Sequence, residues 1–192
     1  MRKLSQIIQR ISNLRTFFIL LAAVIILIIV PDFFKTPISP LKFEEYSHGL
    51  KMLDMTINYS PEVAYNLIEK YGKQAIEYYL YVMEPFDVLI PALMGLFLCV
   101  TCTILLRNII KSKYLSIIYI FPISGWLFDY MENAGVITML TKYPSRIDLV
   151  ARITNLFTMT KSILGTVSII IICFGTLANV FYKYRKISSR CN

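Results

Sequence analysis

The sequence Phe128-Asp129-Tyr130-Met131-Glu132-Asn133 lies inside an apolar run that extends from Tyr114 to Leu140. Two carboxylates and a carboxamide thus interrupt a segment long enough to cross a bilayer, for which about 20 residues are needed. A charged side chain at membrane depth costs at least about 2.5–3.5 kcal/mol on insertion scales, so it usually faces a protein interior or a wet cavity. The stretch therefore predicts a membrane-spanning helix with a polar, inward face.

Three other apolar stretches accompany this one in a chain of 192 residues that is 56% hydrophobic. Soluble domains contain about 45–50% apolar residues, so the composition indicates a membrane protein. We expect four spans, at about residues 12–31, 86–106, 114–140 and 162–182. Pro122 and Gly125 predict a tilt or kink in the third. The predicted fold is an all-α integral membrane four-helix bundle, forming a single membrane domain over residues 1–192.

The first apolar stretch is preceded by basic residues, as a signal peptide would be. No Ala-x-Ala-type cleavage site follows it, because the run ends in Pro31-Asp32-Phe33-Phe34. We therefore expect an uncleaved membrane anchor.

The distribution of charge predicts the orientation of the chain. Of the 20 Lys and Arg residues, eleven lie in residues 1–15, residues 107–113 and the tail from Lys183, which contain no acid, whereas residues 32–84 carry eight acids and five lysines. By the positive-inside rule, both termini are cytoplasmic and residues 32–85 form an outer segment of a plasma-membrane protein. The last loop opposes this order with Lys142, Arg146, Arg152 and Lys161 against Asp148.

The outer segment is predicted to contain an irregular part and a helix. Pro31, Pro37 and Pro40 predict an irregular connection over residues 31–43, whereas Ser60 and Pro61 form a helix-start signal. Apolar residues then recur at near-helical spacing: Val63, Leu67, Tyr71, Ile76, Leu80 and Met83. Several tyrosines suit a membrane–water interface: Tyr65, Tyr71, Tyr78, Tyr79 and Tyr81. The pattern predicts an extracytoplasmic amphipathic helix between spans 1 and 2, on the outer surface or capping the bundle, or else packed on the membrane domain for stability alone.

The carboxylates of the second and third spans are expected at similar depth. Asp87 would lie in the first turn of a span that begins near Pro85, where a helix dipole stabilises an anion. Asp129, Glu132 and Asn133 share one face of the third helix, in its outer part. Residues near the fourth span are possible counter-charges: Arg152 and Lys161. The cluster could bind a cation, relay protons or form the polar end of a lipid or amine pocket, or it could be a structural network that fixes helix register.

Other sites are weaker. Cys99 and Cys102 form a C-x-x-C in a four-span protein, an arrangement similar to bacterial membrane oxidoreductases that use quinone, but the resemblance covers only topology and these two residues. Cys99 would lie about 18 Å deep, no second outer pair is present, and we prefer helix packing as the role of both cysteines. His48 is the only histidine, which excludes multi-histidine zinc sites. The net charge of +8 resides mostly at helix ends, where it meets anionic lipid. We therefore expect the lipid bilayer as partner, no nucleic acid and no cofactor.

A set of residues resembles a widespread group of small bacterial four-span membrane proteins of unassigned function. The residues are Tyr71-Gly72, Tyr79, Asp87 with Pro91, the FDYxEN motif at residues 128–133, and Tyr143-Pro144. In that group a Gly-Arg follows Tyr-Gly, where this chain has Ala75-Ile76, so no role that requires the arginine carries over. The resemblance implies an acid-bearing outer site and no specific chemistry.

Taken together, these patterns favour a non-enzymatic membrane protein that binds a small ligand, ion or lipid headgroup at an outer site. The candidate binding residues are Asp87, Asp129, Glu132 and Asn133. An integral-membrane enzyme could use the same carboxylates on a lipid-linked substrate. A scaffold or accessory subunit of a membrane complex is the third possibility.

Overall fold

A computed structural model of the protein describes the backbone of residues 2–191 and the side chains of residues 3–182 and Tyr184. Over that part of the chain it is all-helical and contains no strand, in agreement with the predicted fold class. The basic tail from Lys183, together with Cys191, was expected in the cytoplasm and falls outside the described side chains.

Ten α-helices follow one another along the described chain. They are α1 Arg2–Ile11, α2 Leu14–Val24, α3 Val30–Phe34, α4 Pro40–Tyr46, α5 Pro61–Tyr78, α6 Glu84–Asp87, α7 Ile90–Leu106, α8 Ser112–Ile118, α9 Ile120–Lys142 and α10 Asp148–Cys191. Short turns join some of them: π-helical turns at Ile25–Ile29 and Tyr79–Met83, and a 3-10 turn at Leu53–Met55. The predicted irregular connection over residues 31–43 is therefore wrong in part, because α3 ends and α4 begins within it.

Among the residues that the structure describes, three helical segments are long and apolar enough to cross a membrane: Leu14–Phe34, Pro61–Leu106 and Asp148–Tyr182. The predicted second and fourth spans are thus the apolar halves of longer helices. The predicted third span coincides with α8 and α9, but α9 is not among the three segments, because Asp129, Glu132 and Asn133 lower its mean hydropathy.

The segment from Pro61 to Leu106 is almost continuous and has two interruptions. The first is Gly72, whose φ of 72° and ψ of 168° belong to a region that only glycine adopts readily. The second is the turn Val88–Leu89, just before Pro91, whose ring cannot follow a regular helical turn. Asp87 therefore ends α6 instead of beginning a span, and the predicted stabilisation by a free helix N-terminus is wrong.

The helix α5 packs inward through a core of aromatic residues, which we call the tyrosine core. It contains Phe43 of α4, Tyr65 and Tyr71 of α5, and Tyr79 of the following π-helical turn, each at most 2% exposed. These residues pack with Val136 and Met139 of α9 and with Ala151 of α10. The buried positions of α5 recur at helical spacing: Ala64, Ile68, Tyr71 and Ala75. Three of the five tyrosines expected at a membrane interface are therefore core residues, and Val63 of the predicted apolar stripe is exposed.

The helices α9 and α10 approach each other closely at Gly135. A Cβ on Gly135 would lie 3.0 Å from Thr154 Cβ and would collide with Thr154 Oγ1, so the two backbones meet closely here. The connection between them is only residues 143–147, because α10 begins at Asp148. Arg152 and Lys161 thus lie within a helix, and the predicted last loop is shorter than expected.

The N-terminal helix α1 is held against α8. Ser5 Oγ lies 2.6 Å from Ser116 Oγ, and Ser112 Oγ donates to Gln9 Oε1 over 2.7 Å. Arg107 donates to the Ser12 carbonyl, which ties the turn before α8 to the end of α1. Two of the three basic segments therefore lie together at one end of the molecule.

Candidate functional site

An ammonium group lies between two of the predicted carboxylates. Lys161 Nζ donates to Asp129 Oδ1 over 2.8 Å and forms an ion pair with Glu132 Oε2. Glu132 is fully buried, and its Oε1 accepts a hydrogen bond of 2.5 Å from Thr158 Oγ1. Asp129 and Lys161 keep 23% and 21% exposure. This network joins α9 to α10, so its first effect is to fix the register of the two helices.

Arg152, the other proposed counter-charge, is exposed and takes no part in the network. Nine residues separate it from Lys161, which at about 100° per residue places the two side chains on opposite sides of α10. The prediction rested only on their position near the outer end of the fourth span; within one helix, nine residues also separate the two by about 13.5 Å along the axis, so Arg152 does not reach the carboxylates.

The remaining predicted residues form a second contact. Asn133 Nδ2 donates to Asp87 Oδ2 over 2.7 Å, which joins α9 to α6. Tyr130 Oη donates to the Val88 carbonyl over 2.6 Å, at the interruption before Pro91. The four predicted binding residues are therefore brought to one region, but as two separate units: Asp129 and Glu132 with Lys161, and Asp87 with Asn133.

Two further acids, Asp54 and Glu84, lie beside these units and were not predicted. Tyr79 Oη donates to Asp54 Oδ1 over 2.5 Å. Glu84 is 6% exposed, and its Oε2 has no hydrogen-bond partner among the described residues. Glu84 begins α6, the short helix that ends at Asp87. Burial raises the pKa of the nearby Tyr59 phenol, so this side chain adds no charge to the group.

A cavity opens next to Asp87 and Asp54, and we call it the three-aspartate cavity. It has a volume of about 230 Å³. Asp32, Asp54 and Asp87 are its charged lining residues, and the other lining residues are apolar: Leu27, Ile28, Ile38, Pro40, Met52, Met55, Met83, Phe86 and Ile90. No Lys, Arg or His of the described residues lines it. The walls come from the first span, the segment before α5, and α6 with the start of α7, so folding is required to assemble it.

A second cavity of about 270 Å³, which we call the glycine-lined cavity, lies between α7, α9 and α10. Gly95, Gly125 and Gly165 leave space in its walls, and Asp129 and Lys161 lie at its polar part. Because that carboxylate and that ammonium already pair with each other, this cavity has no uncommitted charge.

Several chemistries receive no support from the described geometry. No group of three or more His, Cys, Asp and Glu side chains among the described residues could hold a metal ion. Cys99 and Cys102 are each 1% exposed, so neither thiol is accessible for disulfide exchange. His48 is exposed in the loop after α4. The acid-bearing apolar cavity is the feature best suited to bind a small molecule.

Comparison with known proteins identifies no relative of this chain: no protein-family model matches it, and neither a curated protein nor a solved structure does.

Proposed function

We propose that this chain is a four-span plasma-membrane protein that binds a small amphiphilic ligand in the three-aspartate cavity and is not an enzyme. The observation that carries the proposal is the composition of that cavity, whose largely apolar wall contains three carboxylates. Two of them, Asp54 and Asp87, also form hydrogen bonds with Tyr79 and Asn133. Ligand sites are commonly apolar concavities with a few polar groups that fix orientation.

The exposure pattern of α9 supports its assignment as a membrane-crossing helix, which adds the predicted third span to the three apolar segments and gives four spans in all. Its polar residues Glu132 and Asn133 are at most 6% exposed, whereas Leu127 and Met131 are 53% and 47% exposed. Apolar groups outward and polar groups inward is the arrangement that a helix in lipid requires. The contact of α1 with α8 supports placing the N-terminus and the turn at residues 107–113 on the same, cytoplasmic side.

The two units of predicted residues take different roles in this proposal. Asp87 lines the cavity, and the hydrogen bond from Asn133 orients the Asp87 carboxylate. Asp129 and Glu132 are held by Lys161 and act as structural support for the cavity wall. Asp54 and Asp32 replace them as the further polar contacts of the ligand.

The proposal is tested by filling the cavity in protein reconstituted into phosphatidylcholine nanodiscs. Saturation-transfer NMR measures magnetisation transfer from the protein to n-hexanol, with empty nanodiscs as the background. Ile38→Trp should reduce the transfer strongly, because the indole occupies the cavity, whereas Leu149→Trp, at a 68% exposed position on α10, should leave it unchanged. Equal transfer in wild type and Ile38→Trp would contradict ligand binding in this cavity.

An integral-membrane enzyme is the second candidate, because Asp54 and Asp87 line one cavity and two carboxylates can divide acid and base roles. Turnover of a lipid-linked substrate by the wild type, lost in Asp87→Asn with hexanol binding retained, would favour it.

A further inference from the structure

We infer that the ligand of the three-aspartate cavity is an ammonium-bearing amphiphile, a protonated primary amine on a short apolar tail. This inference rests on the proposed function and specifies the chemical class of its ligand.

The charged side chains that line the cavity are all acidic. Asp32, Asp54 and Asp87 line it, and no described cationic side chain does. Glu84, which is 6% exposed and belongs to the same short helix α6 as Asp87, adds a fourth carboxyl group to the region. The ammonium of Lys161 is held by Asp129 and Glu132, and Lys161 lines the glycine-lined cavity instead of this one. Like charges in a low-dielectric site repel one another, and a bound cation relieves that repulsion.

Each aspartate of the cavity keeps hydrogen-bonding capacity for a ligand. Asp32 Oδ1 accepts from Ser39 over 2.8 Å, Asp54 Oδ1 accepts from Tyr79, and Asp87 Oδ2 accepts from Asn133. The partners hold each carboxylate in place through one oxygen. The other oxygen of each accepts no hydrogen bond from a described side chain, and an ammonium offers three donors in compact form.

The same polar region already shows how it accommodates an ammonium. Lys161 Nζ lies between the carboxylates of Asp129 and Glu132, one partly exposed and one fully buried. An amine in the three-aspartate cavity would likewise meet carboxylates, those of Asp54 and Asp87, which line it. The difference is that Lys161 is tethered to α10, whereas the three-aspartate cavity contains no tethered cation among its described lining residues.

The apolar part of the wall determines the rest of the ligand. Leu27 and Ile28 come from the first span, and Met83, Phe86 and Ile90 come from α6 and its neighbours. A volume of about 230 Å³ is roughly eight times the 30 Å³ that one water occupies in the liquid. A primary ammonium with an alkyl tail of several carbons therefore matches both the charge and the size.

The test compares three probes that share a six-carbon tail: n-hexylamine, n-hexanol and hexanoate. Binding to the nanodisc-reconstituted full chain is measured by saturation-transfer titration, with each probe's signal in empty nanodiscs subtracted. Hexylamine should bind on the order of tenfold to a hundredfold more tightly than hexanol, since a hydrogen bond to a charged group is stronger than a neutral one. Hexanoate should not bind measurably.

Two variants refine the comparison. Asp87→Asn should remove most of the preference for the amine while hexanol still binds. Glu77→Gln is the matched control, because it removes one exposed carboxylate from the same helical segment outside the cavity. Should Asp87→Asn fail to fold, the three-probe comparison on the wild type still decides the question.

The outcomes separate this inference from the proposed function. Hexanol binding without any preference for hexylamine would overturn the ammonium assignment and leave the cavity a ligand site. Binding of none of the probes would overturn both. Displacement of hexylamine by short-chain phosphatidylethanolamine would support the inference with a lipid headgroup as source, and no displacement would support it with a free amine.

Discussion

Lys161→Met removes the ammonium between Asp129 and Glu132 and should destabilise the protein strongly. Breaking one partner of a buried ion pair costs about 3–5 kcal/mol, because the other charge stays buried without compensation. Glu132 is fully buried, but Thr158 still donates to it and Asp129 retains 23% exposure. We therefore expect the lower end, about 3 kcal/mol, which is about a hundredfold in the folding equilibrium.

The assay is unfolding of the detergent-solubilised protein by titration with sodium dodecyl sulfate, followed by helical circular dichroism. The double variant Lys161→Met/Glu132→Gln should recover most of the lost stability, because it removes the uncompensated buried charge. Lys73→Met is the control, since Lys73 is 89% exposed, and it should unfold like the wild type. A transition of Lys161→Met at the wild-type detergent fraction, or a double variant less stable than the single one, would refute the reasoning.

Four other substitutions, one of them a control, test the packing that supports the cavity. Gly135→Ala should cost about 1–3 kcal/mol, because the new methyl group collides with α10, whereas Gly165→Ala has no atom within 4 Å of its Cβ and should be close to neutral. Gly72→Ala should cost about 1–3 kcal/mol through backbone strain alone, since its φ is 72° and its Cβ also meets nothing within 4 Å. Tyr79→Phe should cost about 1.5–3 kcal/mol, because the buried hydroxyl donates to the Asp54 carboxylate. The same detergent titration measures all four variants.

Each of these predictions has a contradicting result. Equal stability of Gly135→Ala and Gly165→Ala would mean that α9 and α10 do not approach closely. Wild-type stability of Gly72→Ala would exclude the positive φ, and wild-type stability of Tyr79→Phe would exclude the bond to Asp54.

The helical segments were predictable where the local signal was strong. The apolar runs identified the three candidate spans. Ser60 and Pro61 identified the start of α5, where the Val63 amide donates a hydrogen bond to the Ser60 hydroxyl. Asp129 and Glu132 were expected on one face in the outer part of α9, and Lys161 was expected near the outer end of the fourth span as a counter-charge, which the ion pairs confirm. Arg152 was expected in a loop, whereas α10 already begins at Asp148; within that helix it lies nine residues, about 13.5 Å, from Lys161 and is therefore excluded from the network.

The parts that were missed depend on contacts between residues far apart in the sequence. Ala64 and Ala75 are less apolar than Val63 and Leu67, so the most apolar stripe of α5 was not the buried one. Tyr71 and Tyr79 were expected at a membrane interface because their hydroxyl groups favour water. Inside the protein, however, the Tyr71 hydroxyl donates to the backbone carbonyl of Lys51, and the Tyr79 hydroxyl donates to the Asp54 carboxylate. Such partners come from a loop without periodicity, which is also why the contribution of Asp54 to the cavity had no signal in the sequence.

The most direct test of the central claim is residue-resolved labelling of the carboxylates with a hydrophobic carbodiimide, read by mass spectrometry of the reconstituted protein. The claim is that the acids divide into a set held by Lys161 and a set that faces the cavity. We predict modification of Asp54 and Asp87 and no modification of Glu132; because hexylamine also couples to an activated carboxyl, its protection is read as a lower sum of carbodiimide adduct and hexylamide at Asp54 and Asp87. Modification of Glu132 as fast as that of Asp87, with hexylamine protecting neither, would contradict the account.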